Sequence, residues 1–365
     1  MDISAEIQKY RQEIKSERMD MSFGEIINMY RDKEIIISPE YQRAFRWDEQ
    51  RQSDFIESIL LGIPFPSIFV ATNPDGKWEL IDGLQRVSTV LSFFNELKDE
   101  EGNPYPKNGL KLVEGSMLKG LKDITIDTLP LEYKLQIKRT PCRVEIILKE
   151  SEFKMRYELF KRLNTGGEGL SRQEIRNCIF RGLNSRYSEF VAELSRNDIF
   201  REIVNISVSN EEKMYYEELI LRYLTLKNKG TRYSQSNIQD YMDDYLENQC
   251  KEFDEIQIQK DKELFLDIMK ILEELKDENI FKLGRRYFTT SMYDAIMLSL
   301  SESTIKLEEL DVAQLGEKIA NLKENDEFNK YVGSASSNPT SIRAVHTNDE
   351  IFILDTFHNL GKKNI

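Results

Sequence analysis

The sequence predicts an α+β protein in which a small mixed sheet with helices is followed by a mainly α-helical domain. Two patterns support this prediction: extended apolar runs alternate with helix-period runs up to residue 190, and helical periods dominate afterwards. A chain of 365 residues is also long enough for two domains. We therefore place the first domain at residues 1–190, a helical domain at 191–345 and a C-terminal tail at 346–365.

The composition is that of a folded globular protein, with 40% hydrophobic and 32% charged residues. No signal-peptide core and no run of roughly 18 apolar residues is present, so we expect a cytoplasmic protein. The cysteines, Cys142, Cys178 and Cys250, lie far apart and predict neither disulfides nor a zinc site. The two histidines, His346 and His358, lie near the C-terminus, which removes most histidine chemistry from the main body.

The net charge of −13 is unevenly distributed along the chain. Residues 1–190 carry 29 basic and 31 acidic residues, and the remainder carries 22 basic and 33 acidic residues. Within the first part, Lys134–Arg186 holds 13 basic and 6 acidic residues. This basic stretch is either a solvated helical face or a surface for a polyanion such as DNA. The acidic helical part is expected to mediate self-association or to dock a partner.

The regular elements of the first domain are predicted from residue 35 onwards. An extended apolar run at residues 35–37 precedes Pro39, which forces the residue before it out of helical geometry. A helix with Phe55, Ile56, Ile59 and Leu60 on one face follows and ends at Gly62. Ser67–Thr72 and Trp78–Ile81 are then predicted to form a β-hairpin.

Residues 99–130 are rich in Gly, Pro, Asn and Lys and are predicted to form loops and short elements. A strand is predicted at Arg143–Leu148 and a helix over residues 150–163. The next helix starts with a capping box, in which Ser171 and Glu174 each bind a free backbone N–H. Later helices are predicted at residues 211–227, 236–253, 257–277, 291–301 and 312–323.

The segment IDGLQRVST, residues 81–89, places an arginine in the first turn of a predicted helix. A cation there opposes the helix dipole and costs on the order of 0.3–1 kcal/mol unless a negative group offsets it. In one interpretation Arg86 and the helix N–H groups bind phosphate, Asp82 caps the turn or holds a divalent metal, and Gln85 orients a water or a base. In the other, Asp82–Gly83 is an ordinary turn and Arg86 pairs with a nearby carboxylate.

Two further segments carry residues suited to a nucleotide. YQRAFRW, residues 41–47, combines two arginines with three aromatic residues and suits either a base and its phosphates or a domain edge. NTGG, residues 164–167, allows backbone to approach a ligand closely but also suits a helix C-cap. Together with the 81–89 segment they make three polar junctions around one small sheet.

These residues resemble the N-terminal domain of GmrSD-type modification-dependent restriction proteins, which carries a DGQQR motif on a ParB/sulfiredoxin-like fold. The resemblance covers most of residues 35–185. Its matching stretches are PEYQRAFRW (39–47), FIESILLGIPFPSIFV (55–70), WELIDGLQRVSTV (78–90) and FKRLNTGGEGLSRQEIRN (160–177). The resemblance implies a nucleoside triphosphate (NTP) as ligand, with Mg²⁺.

By position, the resemblance implies catalytic roles for Asp82, Gln85 and Arg86, with Asp82 also as the metal ligand. The nucleotide-binding residues that it implies are Tyr41, Gln42, Arg43, Arg46, Gly83, Asn164, Thr165 and Gly167. Leu84 replaces the first glutamine of the motif; it cannot form a hydrogen bond but could pack inward. No cysteine adjoins the motif, so sulfiredoxin activity is not expected.

The resulting expectation is an NTP-binding and NTP-hydrolysing sensor of a prokaryotic anti-phage or modification-dependent restriction system. An HNH nuclease module is not expected, because the two histidines lack room for the strand pair and helix of such a site. DNA cutting would then need a partner chain. The alternatives are a ParB-like DNA-binding protein without turnover, and a helical interaction or regulatory protein that has lost NTPase activity.

Overall fold

We describe the fold from a computed structural model. The described residues are 3–4, 7–8, 11, 15–37, 45–73, 75–99, 102–149, 153–163, 170–235, 237–283, 287–302, 307 and 310–330. The chain forms two compact units, Met1–Leu170 (unit 1) and Ser171–Ile365 (unit 2). Along the sequence, the boundary between the units lies between Leu170 and Ser171, earlier than residue 190, the predicted end of the first domain.

Unit 1 is built on a five-stranded mixed sheet with the strand order β1-β5-β3-β4-β2. The strands are β1 (Ser16–Ser22), β2 (Ile35–Ile36), β3 (Ile68–Thr72), β4 (Trp78–Asp82) and β5 (Pro141–Ile147). The helices are α1 (Phe23–Arg31), α2 (Glu49–Leu61), α3 (Leu84–Phe93), α4 (Leu131–Arg139) and α5 (Phe153–Leu163), with a 3₁₀ turn at Lys119–Leu121. The predicted α+β class is confirmed.

The strand pairing confirms the predicted hairpin and places it in the middle of the sheet. Strands β3 and β4 are antiparallel, with a register shift between Phe69 and Val70. Strand β5 lies parallel to β3, and β1 lies antiparallel to β5 at the edge. The short strand β2 runs parallel to β4 at the opposite edge.

The core of unit 1 follows from the alternation of side chains along the strands. Val144 and Ile146 of β5 lie beside Ile68 and Val70 of β3, and all four are buried. Helix α3 presents buried apolar residues at helical spacing, namely Leu84, Val87, Val90 and Leu91. Phe23, Phe55 and Phe65 add an aromatic cluster with ring centroids 5.4–6.3 Å apart.

A buried carboxylate organises the loop between α3 and α4. Glu57 of α2 is buried and accepts hydrogen bonds from the backbone N–H groups of Met117 (2.9 Å) and Leu118 (2.5 Å) and from the Ser116 hydroxyl (2.9 Å). Burial raises the pKa of Glu57, but these donors outweigh burial and hold the pKa below its usual value. This part of the predicted loop region therefore has a fixed structure.

Unit 2 is mainly helical in its described part. Its helices are α6 (Arg172–Leu183), α7 (Ser185–Ser195), α8 (Asp198–Val204), α9 (Val208–Glu212), α10 (Tyr215–Lys229), α11 (Ile238–Lys251), α12 (Glu255–Glu274), α13 (Thr290–Ser301), α14 (Val312–Glu324) and α15 (Asp326–Lys330). Two short antiparallel strands, β6 (Lys282–Leu283) and β7 (Tyr287–Phe288), were not predicted. Two residues are too few to show a strand alternation.

The start of α6 has the predicted geometry. The Glu174 N–H donates to the Ser171 hydroxyl (3.1 Å), and the Ser171 N–H donates to the Glu174 carboxylate (2.6 Å), which confirms the capping box. The helix predicted at residues 211–227 instead begins at Tyr215. Met214 before it has φ +59°, which separates α10 from the short helix α9.

A buried ion pair joins two helices of unit 2. Arg222 of α10 donates to both carboxylate oxygens of Asp294 on α13, at 2.6–2.8 Å. Both side chains are buried. Burial alone would lower the pKa of Arg222, but Asp294 raises it above the usual arginine value, so the guanidinium stays charged. The surrounding helices contribute apolar residues, including Leu219, Phe265, Met292 and Ile296.

Two expectations from composition are also tested by the structure. No helix among the described residues is both long and apolar enough to span a bilayer. The three cysteines are buried, and none of them forms a disulfide bond with a described residue. Burial raises the pKa of Cys142 to about 11 and that of Cys250 to about 12, so both thiols stay protonated near neutral pH.

Replacing Gly115 by alanine should destabilise unit 1, because a Cβ there would lie 2.3 Å from Glu57 Oε1 and 3.1 Å from the Leu118 carbonyl oxygen. We expect a loss of about 1–3 kcal/mol in the free energy of unfolding. Gly120→Ala is the matched control, because a Cβ there meets no atom within 4 Å. Chemical denaturation measures both variants. Equal stabilities would show that the loop does not close tightly on Glu57.

The lowered pKa of Glu57 predicts an acid-sensitive contribution to stability. A carboxyl whose folded pKa is depressed stabilises the fold above its unfolded pKa, near 4.5, and loses this contribution as the pH falls through the lower folded value. The Tm of Glu57→Gln should therefore fall less than that of the wild type on acidification below pH 4.5. Parallel Tm profiles for the two proteins in thermal melts would contradict the assignment.

Candidate functional site

The 81–89 segment forms the predicted strand–turn–helix junction. Strand β4 ends at Asp82, Gly83 has φ +95°, and α3 begins at Leu84 without a side-chain N-cap. Leu84 is buried, so the leucine that replaces the first glutamine of the motif packs inward. Gln85 and Arg86 follow in the first turn and are half-buried.

Arg86 is held by the carboxylate at the end of β4 and by two carbonyl oxygens of the segment just before β3. Its Nη2 donates to Asp82 at 2.9 Å, and its Nη1 donates to the carbonyl oxygens of Pro66 and of Ser67, the latter at 3.2 Å. The side chain is 12% exposed, and that of Asp82 is 31% exposed. The Asp82 carboxylate thus offsets the arginine that opposes the helix dipole. Of the two interpretations, the paired arginine describes this structure.

The pairing leaves part of the guanidinium available. A guanidinium has five N–H donors, and the three hydrogen bonds to Asp82, Pro66 and Ser67 use three of them. The Nε–H and the second Nη2–H of Arg86 form no hydrogen bond with the described residues. Two of the five donors are therefore not used by the described part of the protein.

Gly83 is required here by its conformation and by space. A Cβ at this position would lie 2.5 Å from Cγ2 of Ile68 and 3.4 Å from Nη2 of Arg86. The missing side chain therefore lets Ile68 of β3 approach the turn. The glycine predicted for nucleotide binding therefore has a clear structural role in the turn.

Gln85 connects α3 to the segment before α2. Its Oε1 accepts hydrogen bonds from the backbone N–H groups of Arg46 and Trp47, both at 3.1 Å. On the other side, Nε2 of Gln52 donates to the Trp47 carbonyl oxygen at 2.9 Å. This differs from the expected contact of Gln85 with a water or a base, because its oxygen is used by the protein backbone.

Lys107 is a cation near this segment that the sequence analysis did not select. Its Nζ donates to the Phe45 carbonyl oxygen at 2.5 Å and lies 4.6 Å from the centroid of the Phe45 ring. Burial lowers its pKa. It lies in the predicted loop region, where no periodic pattern or motif marks a functional lysine.

The structure thus brings Asp82, Gly83, Gln85 and Arg86 together with the backbone of Arg46. The remaining predicted nucleotide-binding residues lie outside the described residues: Tyr41, Gln42, Arg43, Asn164, Thr165 and Gly167. For Mg²⁺, no group of three or more His, Cys, Asp or Glu side chains that could hold a metal occurs among the described residues.

A pocket of about 720 Å³ lies elsewhere in unit 1. Ser67, whose carbonyl oxygen binds Arg86, is one of its lining residues, together with Phe65, Gln136 and Arg143. Asp82 and Arg86 do not line it. This pocket is therefore adjacent to the arginine's anchor but does not contain the motif.

A comparison with protein families identifies the first part of the chain. Residues 23–181 match the family model described as "GmrSD restriction endonuclease, N-terminal domain". This match confirms the predicted resemblance to that family. The match includes the DGLQR junction and extends past Leu170 into the first helix of unit 2. Searches of curated proteins and of solved structures gave no match.

The matched segment therefore includes residues of both units. In unit 2 its last helix, α6, carries Arg176, which is fully buried. The guanidinium donates to Asp243 at 2.6 Å, to the Gln239 side chain at 2.6 Å and to Gln173 at 3.2 Å. This arginine of the SRQEIRN stretch thus fixes α6 on α11 and is used internally.

The basic stretch Lys134–Arg186 continues from unit 1 into unit 2, and several of its arginines pair with carboxylates. The pairs within unit 1 are Arg143–Asp20 (3.3 Å) and Arg162–Glu158 (3.9 Å). The pairs within unit 2 are Arg172–Asp240 (3.0 Å), Arg176–Asp243 (2.6 Å) and Arg186–Glu255. These carboxylates reduce the positive potential on which the DNA-binding alternative depends.

Gly83→Ala should destabilise unit 1 by more than its backbone conformation alone explains. Alanine at either Gly83 (φ +95°) or Gly76 (φ +87°) costs about 1–2 kcal/mol from the positive φ. Only at Gly83 would the new Cβ also meet Ile68, which should add about 1–3 kcal/mol. Denaturation curves of the two variants isolate this contact. A loss in Gly83→Ala no larger than in Gly76→Ala would mean that β3 does not press on the turn.

Proposed function

We propose that the chain is a nucleotide-responsive component of a restriction system and that it binds an NTP at the β4–α3 junction. The observation that carries the proposal is the state of Arg86. It is fixed by Asp82, Pro66 and Ser67 at the start of a helix, and it keeps two N–H donors. A guanidinium fixed in this way suits a phosphate group, because its N–H donors form a planar fork that can bind two phosphate oxygens.

The start of α3 supports an anionic ligand. The helix has 10 residues and no side-chain N-cap, so its first N–H groups carry the positive end of the helix dipole. The Asp82 carboxylate offsets the charge of Arg86, so the positive end of the helix dipole remains for a ligand. Phosphate groups bind well at such helix starts.

The neighbouring segment supplies further polar groups. Gln85 and Gln52 hold the backbone of Arg46 and Trp47 from two sides, which fixes the end of the YQRAFRW stretch. Oε1 of Gln52 is buried and has no hydrogen-bond partner among the described residues. Buried polar atoms without partners are uncommon in folded proteins, and a donor from a bound ligand would satisfy this one. We assign Gln85 a positioning role.

Asp82 could hold a metal ion only together with phosphate oxygens of the ligand. Mg²⁺ is usually held by one or two carboxylates together with substrate phosphates, and Asp82 is partly exposed beside the proposed phosphate site. When bound, the ion would neutralise phosphate charge. The Asp82 carboxylate would then bind both the ion and Arg86, at the end of the strand that leads into the turn. Hydrolysis by this chain is part of the proposal and rests on the same residues.

The test compares nucleotide binding by the wild type, Arg86→Lys, Asp82→Asn and the control Arg162→Ala, whose side chain is 80% exposed. Isothermal titration with each of the four NTPs and Mg²⁺ should show binding to the wild type and the control. Arg86→Lys keeps the charge but loses the planar fork, so its affinity should fall about tenfold or more. Phosphate release should fall in Asp82→Asn.

Melting curves without nucleotide separate a loss of folding from a loss of binding, because Arg86 also stabilises the fold. Titrations are therefore run well below each variant's Tm. The proposal fails if none of the four NTPs binds the wild type, or if Arg86→Lys binds as tightly as Arg162→Ala.

A further inference from the structure

The edge strand β1 has an open side. Its residues Ser16–Asp20 are exposed on both faces of the strand, and Met19 is 42% exposed. Strand β5 covers one side of β1, and no strand among the described residues pairs with the other side. A seven-residue strand of this kind presents backbone donors and acceptors to a further strand.

The backbone hydrogen bonds show which residues present those groups. The Leu148 N–H donates to the Lys15 carbonyl, and the Phe23 N–H donates to the Thr140 carbonyl. In an antiparallel ladder, hydrogen-bonded positions alternate along the strand. Odd-numbered residues of β1 therefore bond to β5, and the N–H and C=O groups of Arg18 and Asp20 point to the open side.

The same two residues carry opposite charges on the same face of the strand. Arg18 lies opposite Glu145 of β5 and bonds to it at 2.8 Å, and Asp20 lies opposite Arg143 at 3.3 Å. Two ion pairs therefore run across β5 and β1 towards the open edge. The pair Glu145–Arg18 places a guanidinium at the edge, and the pair Arg143–Asp20 places a carboxylate there.

We propose that this edge binds the β1 strand of a second copy of the chain, antiparallel and centred on Met19. In that register Arg18 lies opposite Asp20 of the second copy, and Asp20 lies opposite its Arg18. These are the residues whose backbone groups point outward, so two hydrogen-bonded pairs form around the two-fold axis. On the other face the two Met19 side chains meet and cover each other.

The charges also select this register over its neighbours. A two-fold pairing centred on Arg18 would place two guanidinium groups opposite each other, and one centred on Asp20 would place two carboxylates opposite each other. Like charges directly opposite in a sheet are destabilising. Charged edge residues often prevent strand association, but here the Arg-x-Asp spacing makes one register attractive.

Charge reversal and mixing test the pairing. In a homodimer, Arg18→Asp places two carboxylates opposite each other and Asp20→Arg places two guanidinium groups opposite each other. Each variant alone should therefore dimerise at least about tenfold more weakly than the wild type. A mixture of the two restores opposite charges at both positions and should form a one-to-one heterodimer. Sedimentation equilibrium and native mass spectrometry measure the species.

Glu17→Lys is the matched control, because it makes the same size of charge change on the face away from the Arg–Asp pairs and should dimerise like the wild type. Wild-type dimerisation should weaken as salt is raised. Circular dichroism and melting curves check that each variant folds, since Arg18 and Asp20 also pair with β5.

Three results would overturn the proposal: a wild type that is monomeric at about 100 μM, a concentration at which specific dimers with micromolar Kd are populated; single variants that dimerise as the wild type does; or a mixture that stays monomeric. Nucleotide binding enters none of these measurements, so the result is independent of the proposed function.

Discussion

The geometry of the candidate site depends on one guanidinium. Arg86 joins the carbonyl oxygens before β3 to the carboxylate at the end of β4, so the two strands of the hairpin and the start of α3 are held by one side chain. Charge-assisted hydrogen bonds are stronger than neutral ones, and three of them converge here. An arginine at a helix start is unfavourable by itself, and the Asp82 carboxylate compensates its charge.

The surrounding residues are arranged so that this arginine can take its place. Gly83 leaves room for Ile68 beside the turn, and Leu84 fills the core instead of adding a polar group to the turn. Gln85 extends the arrangement to Arg46 and Trp47. Most polar groups of the motif thus stabilise the junction itself. The ligand binding that we propose uses the two N–H groups of Arg86 that these hydrogen bonds do not use. This division explains how a sequence with leucine in the motif keeps the junction intact.

The sequence predicted several elements whose pattern repeats, but it missed helices such as α1 and α4 and the features determined by tertiary contacts. The β3–β4 hairpin, the strand β5 and the capping box of Ser171 follow from alternation and cap chemistry. Strand β1 was not predicted, because a strand exposed on both faces has no apolar alternation. Likewise Asp82 and Arg86 were predicted as site residues, but the Pro66 and Ser67 carbonyl oxygens that hold Arg86 are backbone atoms without a sequence signature.

The buried pair of Arg222 and Asp294 in unit 2 has a consequence for how its helices can pack. If α13 slid by one turn along α10, the carboxylate would move about 5.4 Å from the guanidinium. Both charges would then remain inside an apolar interior without a partner, which is far more costly than an ordinary packing defect. The ion pair therefore favours the present alignment of the two helices over one shifted by a turn.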